Sequence, residues 1–195
     1  MTYKLGLTGS IGMGKSTTAQ MFRDLGHPVW DADEAVHRLY APNGAAVAPI
    51  ADLVPDALKD HGIDRGALKT ALNADSALIE KLESIVHPLV AQDRADFIIK
   101  NSDKELIILD IPLLFESSAG HSFDGVAVVS TSPETQRARV LSRPGMSKEH
   151  FKMILSRQMS DNEKRARADW MIPTDDLETA RAAVKRICRE ILANA

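Results

Sequence analysis

Gly9-Ser10-Ile11-Gly12-Met13-Gly14-Lys15-Ser16 decides how this chain reads. The spacing fits G-x-x-x-x-G-K-[S/T], a loop whose glycines let backbone N–H groups converge on phosphate oxygens without Cβ obstruction. An apolar run from Tyr3 to Thr8 precedes it and a helical pattern from Ser16 to Leu25 follows. The helix that opens there adds the partial positive charge of its N-terminus to the anion site. In such a loop Lys15 reaches the β- and γ-phosphates of a nucleotide, and the Ser16 hydroxyl ligates Mg²⁺. The structural alternative is a glycine-rich turn capped by Ser16. Chance supplies the full octet in under about 1% of chains of average composition and this length.

Outward from that corner, four further apolar runs read as strands: Pro28 to Asp31, Glu105 to Asp110, Gly125 to Ser130 and Trp170 to Ile172. They are continuous rather than alternating, as strands buried on both faces of a parallel sheet are. Helical patterns fill the gaps. Leu78, Leu82, Ile85, Val86, Leu89 and Val90 recur at helical spacing, and His87-Pro88 inside that pattern predicts a kink or a junction of two helices. Leu177, Ala180, Val184, Ile187, Cys188 and Ile191 form one apolar stripe near the C-terminus. Strand–helix alternation gives an α/β layered fold with right-handed crossovers. Two intervals, 34–104 and 133–168, are too long for simple crossovers and read as helical. The expected organisation is a core of 1–33, 105–132 and 169–195, a substrate-side insertion at 34–104 and a basic helical flap at 133–168, all in one unit.

Composition excludes several classes. The chain has 195 residues, 24 Lys+Arg against 27 Asp+Glu, and 44% hydrophobic residues. That is ordinary for a globular protein and too apolar for a disordered one. No stretch approaches the roughly 20 apolar residues of a bilayer helix. One cysteine, Cys188, makes no internal disulfide and no cysteine-rich zinc site. Gly9, Gly12 and Gly14 interrupt the N-terminus before a secretory apolar run forms, so a cytoplasmic location is expected. Residues 137–167 carry nine Lys/Arg and three acids, a local net charge of +6 on an otherwise acidic body. Such a segment meets an anion. The acidic total and only 5% aromatics argue against a nucleic-acid partner.

A GTPase switch needs an Asn-Lys-x-Asp segment, and no Asn-Lys pair occurs. A small kinase needs a carboxylate near the acceptor hydroxyl, an acceptor pocket and mobile arginines. Asp31-Ala32-Asp33 directly follows the second strand, and ligands of open α/β sheets bind beyond the carboxyl ends of strands. Asp33 is a candidate to orient or deprotonate an acceptor hydroxyl. Asp31 is a candidate to fix the loop or bind a water of the Mg²⁺ shell. An N-cap of the next helix is the alternative for either. Asp110 ends Leu106-Ile107-Ile108-Leu109, where phosphate-loop enzymes carry an acid that supports Mg²⁺. A strand-terminal acid with no ligand is the alternative. Pro112-Leu113-Leu114-Phe115-Glu116 is either an apolar wall with a terminal carboxylate for a base or an apolar arm, or plain core.

Gly12 to Thr17, Asp31-Ala32-Asp33, His87-Pro88, Pro112 to Glu116, Ser132-Pro133-Glu134-Thr135-Gln136 and the Arg-rich stretch together resemble dephospho-coenzyme A kinases, in order and spacing, across nearly the whole chain. The resemblance implies a phosphate-loop NTPase kinase core with a five-stranded parallel sheet, a helical substrate-binding insertion and a helical lid. It implies an ATP-dependent phosphotransferase with an alcohol acceptor. The γ-phosphoryl group would pass to the ribose 3′-hydroxyl of dephospho-coenzyme A, the last step of coenzyme A synthesis, with ATP as co-substrate and Mg²⁺ as cofactor. It implies nucleotide contacts from Gly9, Gly12, Met13, Gly14, Lys15, Ser16 and Thr17. Asp31, Asp33, His87, Pro112, Leu113 and Glu116 would lie on the substrate side, Ser16 and Asp110 at the metal. Asp33 matches the general base, Lys15 the loop lysine, and Arg139 and Arg143 the lid arginines. Pro144-Gly145 beside Arg143 offers a hinge between lid helices. Ser10 stands where Gly is usual and Met13 where Ser is frequent. Pro173-Thr174-Asp175 stands where an Asn is common, so no base contact is assigned there. A kinase of another small hydroxyl compound on the same core is the competing reading.

Overall fold

A computed structural model describes residues 1–116 and 123–193. Two compact units emerge, one of Met1–Trp30 with Asn101–Ala195 and one of Asp31–Lys100.

The first unit is built on a five-stranded parallel sheet. Its strands are β1 (Tyr3–Thr8), β2 (Val29–Asp31), β5 (Leu106–Asp110), β6 (Gly125–Ser130) and β7 (Trp170–Pro173), in the order β2-β5-β1-β6-β7. β1 lies central, with Leu5 opposite Ile108 on one side and Gly125 on the other. All five residues of β5 are buried, whereas the edge strand β7 buries only Ile172. This is why the central runs read as unbroken apolar strings. Helices α1 (Lys15–Asp24) and α9 (Leu177–Ala193) cover one face. Phe22, Val184 and Ile187 pack there against Leu5, Leu7 and Ile172, each 0% exposed. Side chains of this size contribute roughly 1.5–3 kcal/mol each on full burial. Leu177, placed on the apolar stripe by its spacing, is 62% exposed instead. It opens the helix, where the turn has not yet reached the core.

α1 stops through a paired-carbonyl cap. Gly26 takes φ 87°, its N–H donates to the Arg23 carbonyl and the His27 N–H donates to the Phe22 carbonyl. Three short helices fill 133–168: α6 (Pro133–Leu141), α7 (Lys148–Ser156) and α8 (Asp161–Arg167). Each starts on a serine, Ser132, Ser147 or Ser160, whose hydroxyl accepts a backbone N–H of the first turn.

The second unit holds α2 (Ala32–Tyr40), α3 (Val47–Leu53), a 3-10 turn at Pro55–Ala57, α4 (Arg65–Ala74) and α5 (Ala77–Lys100). It also holds a hairpin of two-residue strands, β3 (Leu58–Lys59) and β4 (Gly62–Ile63). The hairpin turn places Asp60 and His61 at φ 48° and 63°, as a type I′ turn requires. Leu39, Ile50, Ala57, Leu68 and Val86 form the unit's own core. Of the kink or junction expected at His87-Pro88, no junction forms: α5 is one helix of 24 residues through Pro88. Pro88 removes one N–H of the ladder. Val86, Leu89 and Val90, all packed into the core on either side of it, hold the helix together.

Candidate active site

The site of the first unit is assembled from the carboxyl ends of four strands. After β1 the chain turns through Gly9 to Gly14. Gly12 takes φ 78° and Gly14 φ 89°, a region that L side chains avoid. The constraint is also one of space. A Cβ on Gly9 would lie 2.3 Å from Val129 Cγ2, and one on Gly12 2.5 Å from Val140 Cγ2. No side chain caps α1, so the first-turn N–H groups are left for an anion. Ser16 and Thr17 are exposed in that first turn, while Ser10 and Met13 are buried.

Asp110, the last residue of β5, is 0% exposed and accepts a 2.6 Å hydrogen bond from Lys15 Nζ, whose side chain is 14% exposed. A buried carboxylate requires such a partner. The pair therefore fixes the lysine beside the loop.

β6 and β7 deliver the other parts. Thr174, just past β7, donates from Oγ1 to the Met13 carbonyl at 2.7 Å. Gln136, on α6, donates from Nε2 to the Ile11 carbonyl at 2.7 Å. Gln158, past α7, accepts the Ile11 N–H at 3.1 Å. Asp175 accepts the Thr131 hydroxyl at 2.7 Å and the Ser132 N–H at 3.2 Å. These bonds, the Thr131 hydroxyl foremost, hold its carboxyl below the usual carboxylate range.

The two nominated arginines differ. Arg139 is half-buried and grips Thr174, with Nη2 2.6 Å from its carbonyl oxygen. Arg143, just beyond α6, is exposed, and its guanidinium has no partner among the described residues. Gly145, at φ 76°, turns the chain toward α7.

Pro112 is half-buried and Leu113 is 44% exposed, whereas Leu114 is core at 7%. Glu116 Oε1 accepts the Met159 N–H at 2.7 Å and Lys164 Nζ at 2.9 Å. Lys164 is 0% exposed and lies 3.4 Å from the Pro112 carbonyl oxygen. Ser130, the last residue of β6, donates to Asp161 Oδ2 at 2.7 Å. The stretch 158–164 is thus tied to the segments that follow β1 and β5 and to the end of β6.

In the second unit Asp31 is the N-cap of α2. Its Oδ1 accepts the N–H groups of Asp33 at 2.8 Å and Glu34 at 3.0 Å. Asp31 takes the capping role and leaves the Asp33 carboxylate exposed. His87 is exposed on α5. A cavity of about 340 Å³ opens among His37, Tyr40, Pro42, Lys59, Ile63 and Arg65, and none of the nominated residues lines it.

Lys164, Thr174, Gln136 and Gln158 received no role from the sequence. Gln136 stood in the Ser132-to-Gln136 motif and Thr174 as a departure from the usual Asn, whereas Lys164 and Gln158 carried no signal of their own.

A glycine corner whose Gly12 and Gly14 N–H groups meet no acceptor among the described residues, a lysine seated on a buried acid and a parallel sheet of order β2-β5-β1-β6-β7 define the class: a phosphate-loop kinase. A family model described as Dephospho-CoA kinase matches residues 3–179. The chain belongs to that family. It is 57% identical over 191 residues to the dephospho-CoA kinase of Jannaschia sp. strain CCS1, covering 98% of both chains. A crystallised protein from Thermus thermophilus superposes with TM-score 0.82 at 30% identity, covering 99% of this chain and 97% of that one. The dephospho-CoA kinase from Campylobacter jejuni superposes with TM-score 0.67 at 26% identity, covering 97% of each. No helix among the described residues is long and apolar enough to cross a membrane.

Proposed function

We propose that this chain transfers the γ-phosphoryl group of ATP to the ribose 3′-hydroxyl of dephospho-coenzyme A. The observation that carries the reading is the seating of Lys15 on Asp110 beside a loop whose Gly12 and Gly14 N–H groups meet no acceptor among the described residues, in a chain of this family. Gly9, Gly12, Met13, Gly14, Lys15, Ser16 and Thr17 bind the ATP phosphates. Residues 34–104, with Asp31 and His87, hold the acceptor. Pro112, Leu113 and Glu116 are the acceptor contacts that the first unit supplies. Residues 133–168 cover the reacting groups and exclude water, which otherwise competes as acceptor.

Asp33 takes the proton of the 3′-hydroxyl as that oxygen bonds to the γ-phosphorus. The bond from γ-phosphorus to the bridging oxygen breaks and ADP leaves. The support for Asp33 is its exposed carboxylate just past the end of β2, with capping assigned to Asp31. Lys15, Arg139 and Arg143 neutralise charge that spreads over the equatorial oxygens. Its guanidinium, without a partner among the described residues, favours Arg143 as the mobile charge.

The residues fit a magnesium ion. The Ser16 hydroxyl and the Asp110 carboxylate are hard oxygen donors, and Asp110 is tied to Lys15, the neighbour of Ser16. Bound there, the ion supplies charge neutralisation of the β- and γ-phosphate oxygens. A reducing cytoplasmic compartment suits the buried thiol of Cys188.

The test is the purified chain with ATP and a panel of acceptors: dephospho-coenzyme A, nucleosides and sugar acids. Phosphorylated product should appear with dephospho-coenzyme A at a kcat/KM far above the others. Preferred phosphorylation of a nucleoside or sugar acid would refute the acceptor assignment.

A further inference from the structure

The geometry points to Thr174 and Gln136 as positioning residues that aim the phosphate loop, an inference that rests on the ATP reading above. In a trans peptide the N–H points opposite to the C=O of the same unit, and no peptide among the described residues is cis. Holding a carbonyl therefore aims the next residue's N–H. Gln136 Nε2 draws the Ile11 carbonyl out of the loop at 2.7 Å, which turns the Gly12 N–H the other way. Thr174 Oγ1 draws the Met13 carbonyl at 2.7 Å, which turns the Gly14 N–H the other way. Neither of those two N–H groups meets an acceptor among the described residues.

The two anchors are themselves held. Thr174 and Gln136 are 7% and 6% exposed. The Thr174 N–H donates to the Ser130 carbonyl at 2.9 Å. Arg139 reaches both the carbonyl and the hydroxyl oxygen of Thr174, at 2.6 and 3.4 Å. Gln158 adds a third restraint by accepting the Ile11 N–H, which fixes the preceding peptide. Glycines that permit positive φ also permit many other loop conformations. Outward pulls on alternate carbonyls select the one that converges on phosphate. The loop then binds without first ordering itself, which is what preorganisation contributes to affinity. Arg139 gains a second role here, as the residue that steadies Thr174.

Thr174→Val keeps the shape and deletes the hydroxyl. Thr174→Ser keeps the hydroxyl and deletes the methyl, which lies 3.4 Å from the point that a Cβ on Gly14 would occupy. Binding of the β,γ-imido analogue of ATP is measured by calorimetry on the full chain, with KM for dephospho-coenzyme A and the melting temperature alongside. Thr174→Val should weaken the analogue about tenfold, the equivalent of one hydrogen bond, with KM for dephospho-coenzyme A within about twofold. Thr174→Ser should recover most of that loss. Gln136→Met should repeat the valine pattern through the other peptide. Wild-type affinity in Thr174→Val overturns the inference, as does a serine variant as weak as the valine one, which would make methyl packing the cause. A melting temperature that falls in step with affinity, with both substrates affected alike, also overturns it. Wild-type protein that fails to bind the analogue refutes the ATP reading itself and the inference with it.

Discussion

Replacing Lys164 with methionine removes the buried cation that ties the α8 segment to the chain beyond β5. Lys164 is 0% exposed and Glu116 16%, and they meet at 2.9 Å. Removing one member of such a pair costs about 3–5 kcal/mol, because the remaining charge stays buried. Glu116 keeps the Met159 N–H at 2.7 Å and some contact with water, so the low end applies, about 3 kcal/mol. For a chain of this size each kcal/mol moves the melting temperature by about 2–4 °C, giving a fall of about 6–12 °C. The assay is thermal unfolding followed by far-UV circular dichroism. The double variant Lys164→Met with Glu116→Gln discards both charges and should recover at least half of the loss. A single variant that melts with the wild type would refute the reasoning. So would a double variant no more stable than the single one, since the cost would then not arise from an orphaned carboxylate.

The remaining expectations concern catalysis and pH. Asp33→Asn should lower kcat about 10²–10⁴-fold with ATP affinity unchanged, and wild-type turnover would remove Asp33 from the base role. Arg143→Ala should reduce kcat more than it weakens ATP binding; an unchanged rate would make it an ordinary solvated arginine. Asp175, whose carboxyl the Thr131 hydroxyl and the Ser132 N–H hold below 3.8, contributes stability above the ordinary carboxylate range. That contribution is lost as pH falls through its folded value. Asp175→Asn should therefore flatten the acid limb of a stability–pH curve, and an unaltered limb would contradict the assignment. Burial pushes the Cys188 thiol up from 9.0 to about 11. Iodoacetamide should alkylate it slowly at pH 8 in the native protein and fast in urea, and equal rates would show the thiol is accessible.

The strand–loop–helix corner was legible because its constraints are local. Positive φ at Gly12 and Gly14, the apolar run before them and the helix after them all lie within adjacent residues. The sheet was legible for the same reason, since doubly buried strands are written as apolar runs. Pro88 makes no junction because the packing of Val86, Leu89 and Val90 outweighs the lost N–H. The β3–β4 hairpin was missed because strands of two residues carry no period, and Asp60-His61 lacks the usual glycine of its turn.

Lys164 was hidden in an Arg-rich stretch that reads as a solvated face. Its burial depends on Glu116, far up the chain. Arg139 and Thr174 are likewise far apart in the chain, so the sequence could nominate both arginines but not tell the anchored Arg139 from Arg143, which has no partner among the described residues. The sequence nominated Asp33 for the acceptor hydroxyl and Asp31 for the loop or the Mg²⁺ shell, with an N-cap as the alternative for either, and the N–H bonds at the start of α2 give the cap to Asp31.

The most direct test of the account follows the phosphoryl group itself. Purified protein is supplied with γ-labelled ATP and dephospho-coenzyme A, and the product's attachment point is read by phosphorus NMR. Label on the ribose 3′-oxygen, abolished in Lys15→Ala, is the expected result. Label released only as inorganic phosphate, or fixed at another hydroxyl, would contradict it.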